Sequence, residues 1–573
     1  MADRRFTTFQ DRLGQALVEG GFLTAEQLTR ARQTAQTEGK RLTDILQEQR
    51  LISRDVLTTA LSFQLKVPIV NLKQVKIDEK AVALVPEEFA REHEVLPFGL
   101  GAGGELLLAM ESPNDFELIN TLSAMTRRSI RPSLPLDTKI RDMLDVVYKP
   151  GSQISEQLTQ TLQPITETTP ARAAPTASSV ILAGVADAPV VRAVEMLTLQ
   201  AVKSRASDIH IVPTVDSSKV IYRIDGVLQT IHTIPLGVHQ NMISRIKVMA
   251  NMDITERRRP QDGAFSMTFG EREVNFRVAV ADTSYGEMMV IRVLDKSRIT
   301  FDVGELGLTG SPRQAYDRLL KYPLGMITVS GPTGSGKTTT LYASIFALAN
   351  GQRNIMTIED PVEYRFDNIS QIETNKAAGI DFATGLRAIM RMDPDIILVG
   401  EVRDKETAQT AFQAANTGHL VLSSVHANDS ASTITRFIDL GVEPFVVSTG
   451  LIGVVAQRLI RKICPNCKTL TTPTATEALA YEAEMQEPAT EFYAGQGCNA
   501  CSFTGFLGRI GVFEVLVLTE DIRSLIIRRT TAPEIKAQAV KQGMVTMRRD
   551  GMLKVKEGLT TPGEILRSVF TTD

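Results

Sequence analysis

Apolar positions in the first seventy residues recur at roughly helical spacing, and the pattern occurs twice. Arg12, Leu13, Gly14, Leu17, Gly21 and Leu28 form one copy; Arg41, Leu42, Thr43, Leu46, Arg50 and Leu57 form the second, offset by 29 residues throughout. Breaks fall at Gly20-Gly21 and Arg50-Leu51, so each copy predicts a helical hairpin. Such a repeat is either a small interaction module or the scaffold of a ligand site, and the pattern leaves both open. From 73 to 148 the period changes. Glu105 to Met110 predicts a strand, and Pro113-Asn114-Asp115 a turn into a helix.

Between Gly151 and about Ala186 periodicity is lost. Pro164, Pro170 and Pro175 lie among Thr, Ser and Ala, which is linker composition with little material for a core. A second α/β region follows, with strands expected at Val220–Ile224, Val274–Val280 and Met288–Val293 and a turn at Asp225-Gly226. These shifts divide the chain into an N-terminal module with a small α/β part (1–150), a linker (151–186), an α/β domain (187–300) and a large C-terminal domain (301–573).

Composition narrows the function. At 573 residues, 43% hydrophobic and 23% charged, the chain is an ordinary multidomain globular protein. A net charge of -3, no Trp and few aromatics argue against a nucleic-acid translocase. No apolar run is long enough for a membrane span, and MADRRFTTFQDR lacks the apolar core of a signal peptide. The expectation is a cytoplasmic protein. All four cysteines lie in two Cys-x-x-Cys pairs, Cys464/Cys467 and Cys498/Cys501, with 30 residues between the pairs. That pattern predicts a closed, structural four-cysteine zinc site within about 460–510.

The strongest chemistry lies in the C-terminal domain. The apolar strand Met326–Ser330 runs into Gly331-Pro332-Thr333-Gly334-Ser335-Gly336-Lys337-Thr338, and Thr339–Leu348 is helix-compatible. Strand, Gly-x4-Gly-Lys-Thr and helix together predict a phosphate-binding loop. Its glycines let N–H groups turn toward phosphate oxygens, Lys337 reaches the β- and γ-phosphates, and Thr338 binds Mg²⁺. Two further apolar strands deliver acids: Ile396–Val399 ends in Gly400-Glu401, and Ile355–Ile358 ends in Glu359-Asp360-Pro361-Val362-Glu363. Their arrangement predicts a RecA-like parallel sheet with its ligand at the strand ends. His419 and His426 flank Leu420–Leu422 and are candidate γ-phosphate sensors.

Together these blocks resemble the type II secretion and type IV pilus assembly ATPases, the GspE/PilB family. The resemblance rests on Ser207-Asp208-Ile209-His210, Arg223-Ile224-Asp225-Gly226, Pro260-Gln261-Asp262-Gly263, the loop from Gly331, the Asp box Thr357–Glu363, the Walker B block Asp393–Asp404 and the His box Thr417–Asp429. It implies a homohexameric motor that takes ATP, Mg²⁺ and Zn²⁺ and drives pilin or pseudopilin assembly through an inner-membrane platform protein. Glu401 would position Mg²⁺ and the attacking water, and Glu363 would help activate that water. Arg277 and Arg292, from the preceding domain, and Arg387 and Arg391, before Walker B, would meet the nucleotide phosphates. The tetra-Cys element and long N-terminal extension favour assembly over retraction, and pilus assembly is expected ahead of type II secretion. The N-terminal repeat resembles the MshEN module, which binds cyclic di-GMP in some family members. The second copy carries Thr43 and Arg50 where that module has glycines, so partner docking is expected ahead of cyclic di-GMP binding.

Overall fold

The computed structural model describes most of residues 14–76, then 77–136, 140–148, 188–270, 272–295 and 302–569. The linker expected at 151–186 and the residues Arg12, Thr43 and Arg50 lie outside the described residues. Two compact units emerge, one from the N-terminal half through Leu294, the other from most of residues 295–573.

In the first unit the repeat appears as helices Ala25–Glu38 and Arg54–Leu65, which start 29 residues apart, the offset read from the sequence. Leu17, Leu28, Leu46 and Leu57, equivalent leucines of the two copies, share one buried cluster. A four-stranded sheet follows, built from β1 (Ile69–Val70), β2 (Val95–Leu100), β3 (Leu106–Met110) and β4 (Ile130–Pro135) in the order β1-β4-β3-β2. Asp115 starts the helix Phe116–Thr126 by accepting the Leu118 N–H at 3.0 Å.

Six strands form the next sheet: β5 (Ala206–Pro213), β6 (Ser218–Ile224), β7 (Val227–Ile234), β8 (Gln261–Phe269), β9 (Arg272–Thr283) and β10 (Gly286–Asp295), ordered β7-β6-β5-β10-β9-β8. Asp225 and Gly226 both have positive φ, 48° and 85°, which suits the two-residue hairpin between β6 and β7.

The second unit holds seven strands ordered β13-β12-β14-β15-β11-β16-β19. They are β11 (Gly325–Ser330), β12 (Ile355–Glu359), β13 (Ser370–Glu373), β14 (Ile396–Val399), β15 (Leu420–Val425), β16 (Leu451–Ile463) and β19 (Phe506–Val517); β17 (Lys468–Thr471) and β18 (Phe492–Gly495) pair separately. Every pairing in the seven-stranded sheet is parallel except β16 with β19. A parallel sheet must be covered on both faces, and the side chains divide accordingly. Ile397, Val399, Val421 and Val425 enter one core, while Ile396, Leu398, Leu420 and Leu422 enter the other. The RecA-like α/β architecture expected from the sequence is therefore present.

Candidate functional site: a phosphate-binding loop at the carboxyl ends of a parallel sheet

Register brings the functional segments to one edge. Ile358 pairs with Val399, Val399 with Ser423, and Ser330 with Val425. The loops that follow β12, β14, β15 and β11 leave at nearly one level. They carry, in that order, the Asp box, Glu401, His426 and the glycine-rich loop.

The P-loop runs from Gly331 to Gly336, and the helix Lys337–Leu348 starts directly after it. Gly331 has φ 152°, and a Cβ there would sit 2.5 Å from both the Gln457 carbonyl oxygen and Ser335 Oγ. No side chain fits at that position. Gln457, buried on β16, grips the loop from behind: its Nε2 donates to the Ser335 carbonyl at 2.7 Å, and its Oε1 accepts from Thr340 Oγ1 at 2.8 Å. Sequence reasoning misses Gln457; the signal is a lone amide directly after the apolar run Leu451–Ala456.

The lining fits a polyphosphate. The first turn of the helix leaves its N–H groups without intrahelical acceptors and adds a favourable dipole. Ser335 Oγ is buried without a hydrogen-bond partner. Lys337 Nζ folds back onto the carbonyls of Gly331 (2.9 Å) and Pro332 (3.2 Å), so the cation already lies along the loop. Burial pulls its pKa below the ordinary lysine value, and the charge of Glu401 opposes that pull. Pro332, Thr333, Gly334 and Thr338 are exposed, while Thr339 is half-buried.

Glu401, mostly buried, is held on both oxygens. Oε1 lies 2.9 Å from His426 Nε2, and Oε2 lies 2.6 Å from Arg403 Nη2. The hydrogen bond from Arg403 to Glu401 raises the arginine's pKa further. Its loop is pinned by Gly400 N–H on the Ile358 carbonyl, Val402 N–H on the Ser424 carbonyl and Ser424 Oγ on the Gly400 carbonyl. Asp404 and Asp429 cap the next two helices by accepting the N–H groups of Thr407 and Ser432, which fixes where the Walker B and His-box loops end.

The other expected residues divide. Glu363 is half-buried in the loop after β12. His419 precedes β15, at the far end from His426, and its Nδ1 meets the Ala414 carbonyl at 2.9 Å, so it supports a helix end rather than the phosphate edge. Within one chain Arg387 does not join the P-loop: its Nη1 pairs with Glu406 at 2.7 Å on the surface. Arg391 is exposed where the chain enters β14, at the opposite edge of the sheet. In the first unit, Arg292 and Arg223 share Asp208, at 3.5 Å and 3.6 Å, and Arg277 is half-buried on β9.

The four cysteine sulfurs lie within 4.8 Å of one another, none in a disulfide. Cys498 and Cys501 Sγ are 3.7 Å apart, close to the ~3.8 Å edge of a thiolate tetrahedron with metal–sulfur bonds of about 2.3 Å. Backbone positions the pairs: Cys464 N–H donates to the Gly505 carbonyl and Gln496 N–H to the Cys467 carbonyl. The backbones of Gly495 and Gly505 approach so closely that a Cβ on Gly495 would lie 2.0 Å from the Gly505 oxygen.

Comparison with known proteins places this constellation. Residues 184–567 match the family described as Type II/IV secretion system protein. The chain belongs to that family. A Type IV pilus assembly ATPase PilB from Myxococcus xanthus (strain DK1622) is 37% identical over 559 residues, covering 97% of this chain and 98% of the relative. A Type II secretion system protein E from Pectobacterium carotovorum subsp. carotovorum is 44% identical over 381 residues, covering 66% of this chain and 76% of that protein. Among solved structures, the pilus retraction motor PilT with bound ADP is 27% identical, covering 65% of this chain and 96% of that chain with a TM-score of 0.45. The MshEN domain family matches residues 65–154, which is the four-stranded sheet and its helices rather than the repeat before it. The family match and the full-length relative make the chain an ATPase of the secretion and pilus assembly family. No helix among the described residues is long and apolar enough to cross a membrane.

Lys337→Ala removes the only side-chain cation carried by the loop itself, Gly331–Lys337. Steady-state ATPase activity of the purified full-length variant is expected to fall roughly a hundredfold.

Proposed function

We propose that this chain is the ATP-hydrolysing motor that powers pilin polymerisation in type IV pilus assembly, working as a homohexamer at the inner face of the cytoplasmic membrane and acting on an inner-membrane platform protein. One observation carries the choice: similarity to the Myxococcus pilus assembly ATPase runs through 97% of the chain, N-terminal third included. Similarity to the type II secretion protein is confined to 66% of it. The higher identity of the latter, 44% against 37%, favours the second reading, a secretion ATPase driving pseudopilus assembly.

In this reading Gly331–Lys337 wrap the phosphates with backbone N–H groups, and Lys337 transfers from its loop carbonyls to the β- and γ-phosphates. Thr338 and Glu401 would hold Mg²⁺, which would supply positive charge against the phosphates. Glu401 is oriented by His426 and Arg403, so His426 senses the γ-phosphate through the same carboxylate. Glu363 takes the proton of the attacking water. Arg277, Arg292, Arg387 and Arg391 complete the charge complement on domain closure or from a neighbouring subunit. Guanidinium groups suit the spread charge of a transferring phosphoryl group. Alternation between closed and released states turns hydrolysis into domain rotation.

The tetra-Cys cluster is proposed to hold structural Zn²⁺, since four thiolates leave no open position for chemistry. The N-terminal module is proposed to dock a partner of the assembly machinery rather than to bind cyclic di-GMP.

Glu401→Gln keeps the shape but removes the charge. The variant is expected to bind ATP within about threefold of wild type while turnover drops at least about a hundredfold. A strain carrying it should lose surface pili and keep secretion; lost secretion with normal pili would favour the second reading. Metal analysis of freshly prepared protein should find one zinc per chain, absent from Cys464→Ser/Cys498→Ser, with local unfolding around the cluster. Calorimetric titration of the full chain with cyclic di-GMP should show no submicromolar binding.

A further inference from the structure

Glu514 is a buried acid that the nucleotide chemistry leaves unused. It stands on β19 and is 1% exposed. A carboxylate so placed is costly unless its oxygens are hydrogen-bonded. Oε1 accepts the Ser430 backbone N–H at 3.1 Å and the Ser430 hydroxyl. Oε2 accepts the Met547 N–H at 3.3 Å. Ser430 and Met547 are the first residues of the helices Ser430–Asp439 and Met547–Lys556. First-turn N–H groups lack intrahelical acceptors and a helix N-terminus favours negative charge, so one carboxylate serves two helix starts.

One of those starts lies directly behind the His box. His426–Asp429 is the short stretch between β15 and the helix Ser430–Asp439, and His426 Nε2 lies 2.9 Å from Glu401 Oε1. The front of the stretch is fixed by β15, where Val425 pairs with Ser330 of β11 and Ser424 Oγ donates to the Gly400 carbonyl. Its back is fixed at Ser430, which is fully buried and held twice by Glu514. Asp429 caps the same helix but moves with it; Glu514 ties it to the sheet. The register of β16 with β19 gives this tie a counterpart, since Ala456 faces Glu514 and Gln457 faces Phe513. Side chains alternate across a strand, so the pair sends Gln457 to the P-loop on one face and Glu514 to the His-box helix on the other.

We propose that Glu514 is a positioning residue for hydrolysis, which through Ser430 sets how the His box presents His426 to Glu401. The proposal rests on Glu401 and His426 acting at the γ-phosphate. A carboxylate suits the position because it only accepts, and each group bonded to it here is a donor. Leucine there would leave the Ser430 N–H and hydroxyl without their acceptor and free the back of the His box. Alanine at 430 removes the hydroxyl arm and leaves the backbone one. Neither change touches the P-loop, so nucleotide binding stays while the alignment of His426 on Glu401 is lost.

Steady-state ATPase kinetics and nucleotide-binding stoichiometry of full-length Glu514→Leu, Ser430→Ala, His426→Ala and the combination of each of the first two with His426→Ala test this. Glu514→Leu is expected to lower kcat about tenfold and Ser430→Ala about threefold. KM for ATP, nucleotide affinity and the number of nucleotides bound per chain should stay within about twofold of wild type. In the His426→Ala background, itself slowed about tenfold or more, neither change should slow turnover further, because the alignment they protect is already gone. Wild-type kcat in Glu514→Leu and Ser430→Ala beside a slow His426→Ala overturns the positioning role and leaves the role of His426 standing. Wild-type turnover in His426→Ala removes the role of His426 and the positioning role with it. Fewer nucleotides bound per chain, or losses that add to that of His426→Ala, identify a general packing effect and also overturn it. Should Glu514→Leu not fold, Ser430→Ala decides by the same criteria.

Discussion

A loop that points its backbone N–H groups at a phosphate cannot use them to hold its own shape, so the shape must be imposed from outside. Gln457 does this here. From the adjacent parallel strand it donates to the Ser335 carbonyl and accepts from Thr340, gripping the loop at its crest and in the first turn of the helix that follows. Gly331 is the complementary concession, since its missing Cβ is what allows the Gln457 carbonyl and Ser335 to close on it. The shape of the glycine-rich loop depends on contacts between residues more than a hundred positions apart.

The parallel sheet supplies the second condition. Equal register across β12, β14, β15 and β11 sets four loops along one edge, and short hydrogen bonds between those loops make them one body. Glu401 is the clearest product: Arg403 and His426 hold its two oxygens, so the carboxylate is fixed in place and aimed. The Asp box reaches the same edge by another route, through Tyr342, Glu359 and Gln371. The cysteine cluster follows a similar logic, with Gly495 and Gly505 permitting the backbone approach that gathers four sulfurs.

Much of this was legible in the chain itself. The 29-residue echo reappears as helices starting at Ala25 and Arg54, and Asp225-Gly226 forms the hairpin turn its composition demands. The P-loop, Asp box and Walker B acid each lie in contiguous segments whose local chemistry is self-announcing. Two expectations met a different placement. His419 sits at the wrong end of β15 to meet a phosphate at the P-loop edge, because flanking a strand puts two residues at opposite edges of the sheet. Arg387 pairs with Glu406 within its own chain, a partner that motif matching does not reveal.

What the sequence alone determined is therefore the local part: periodicity, turns, the glycine-rich cradle, the acids at strand ends and the Cys-x-x-Cys pairs. These depend on residues within a few positions of one another, where spacing is geometry. Tertiary structure alone decided which distant groups complete them. Gln457 behind the P-loop, Arg403 and His426 on Glu401, and Tyr342 on Glu359 are each joined by strand register and helix packing. A polar side chain in an apolar run is visible in a sequence, but its partner is not, because the bond that satisfies it exists only once the sheet has brought the two elements side by side.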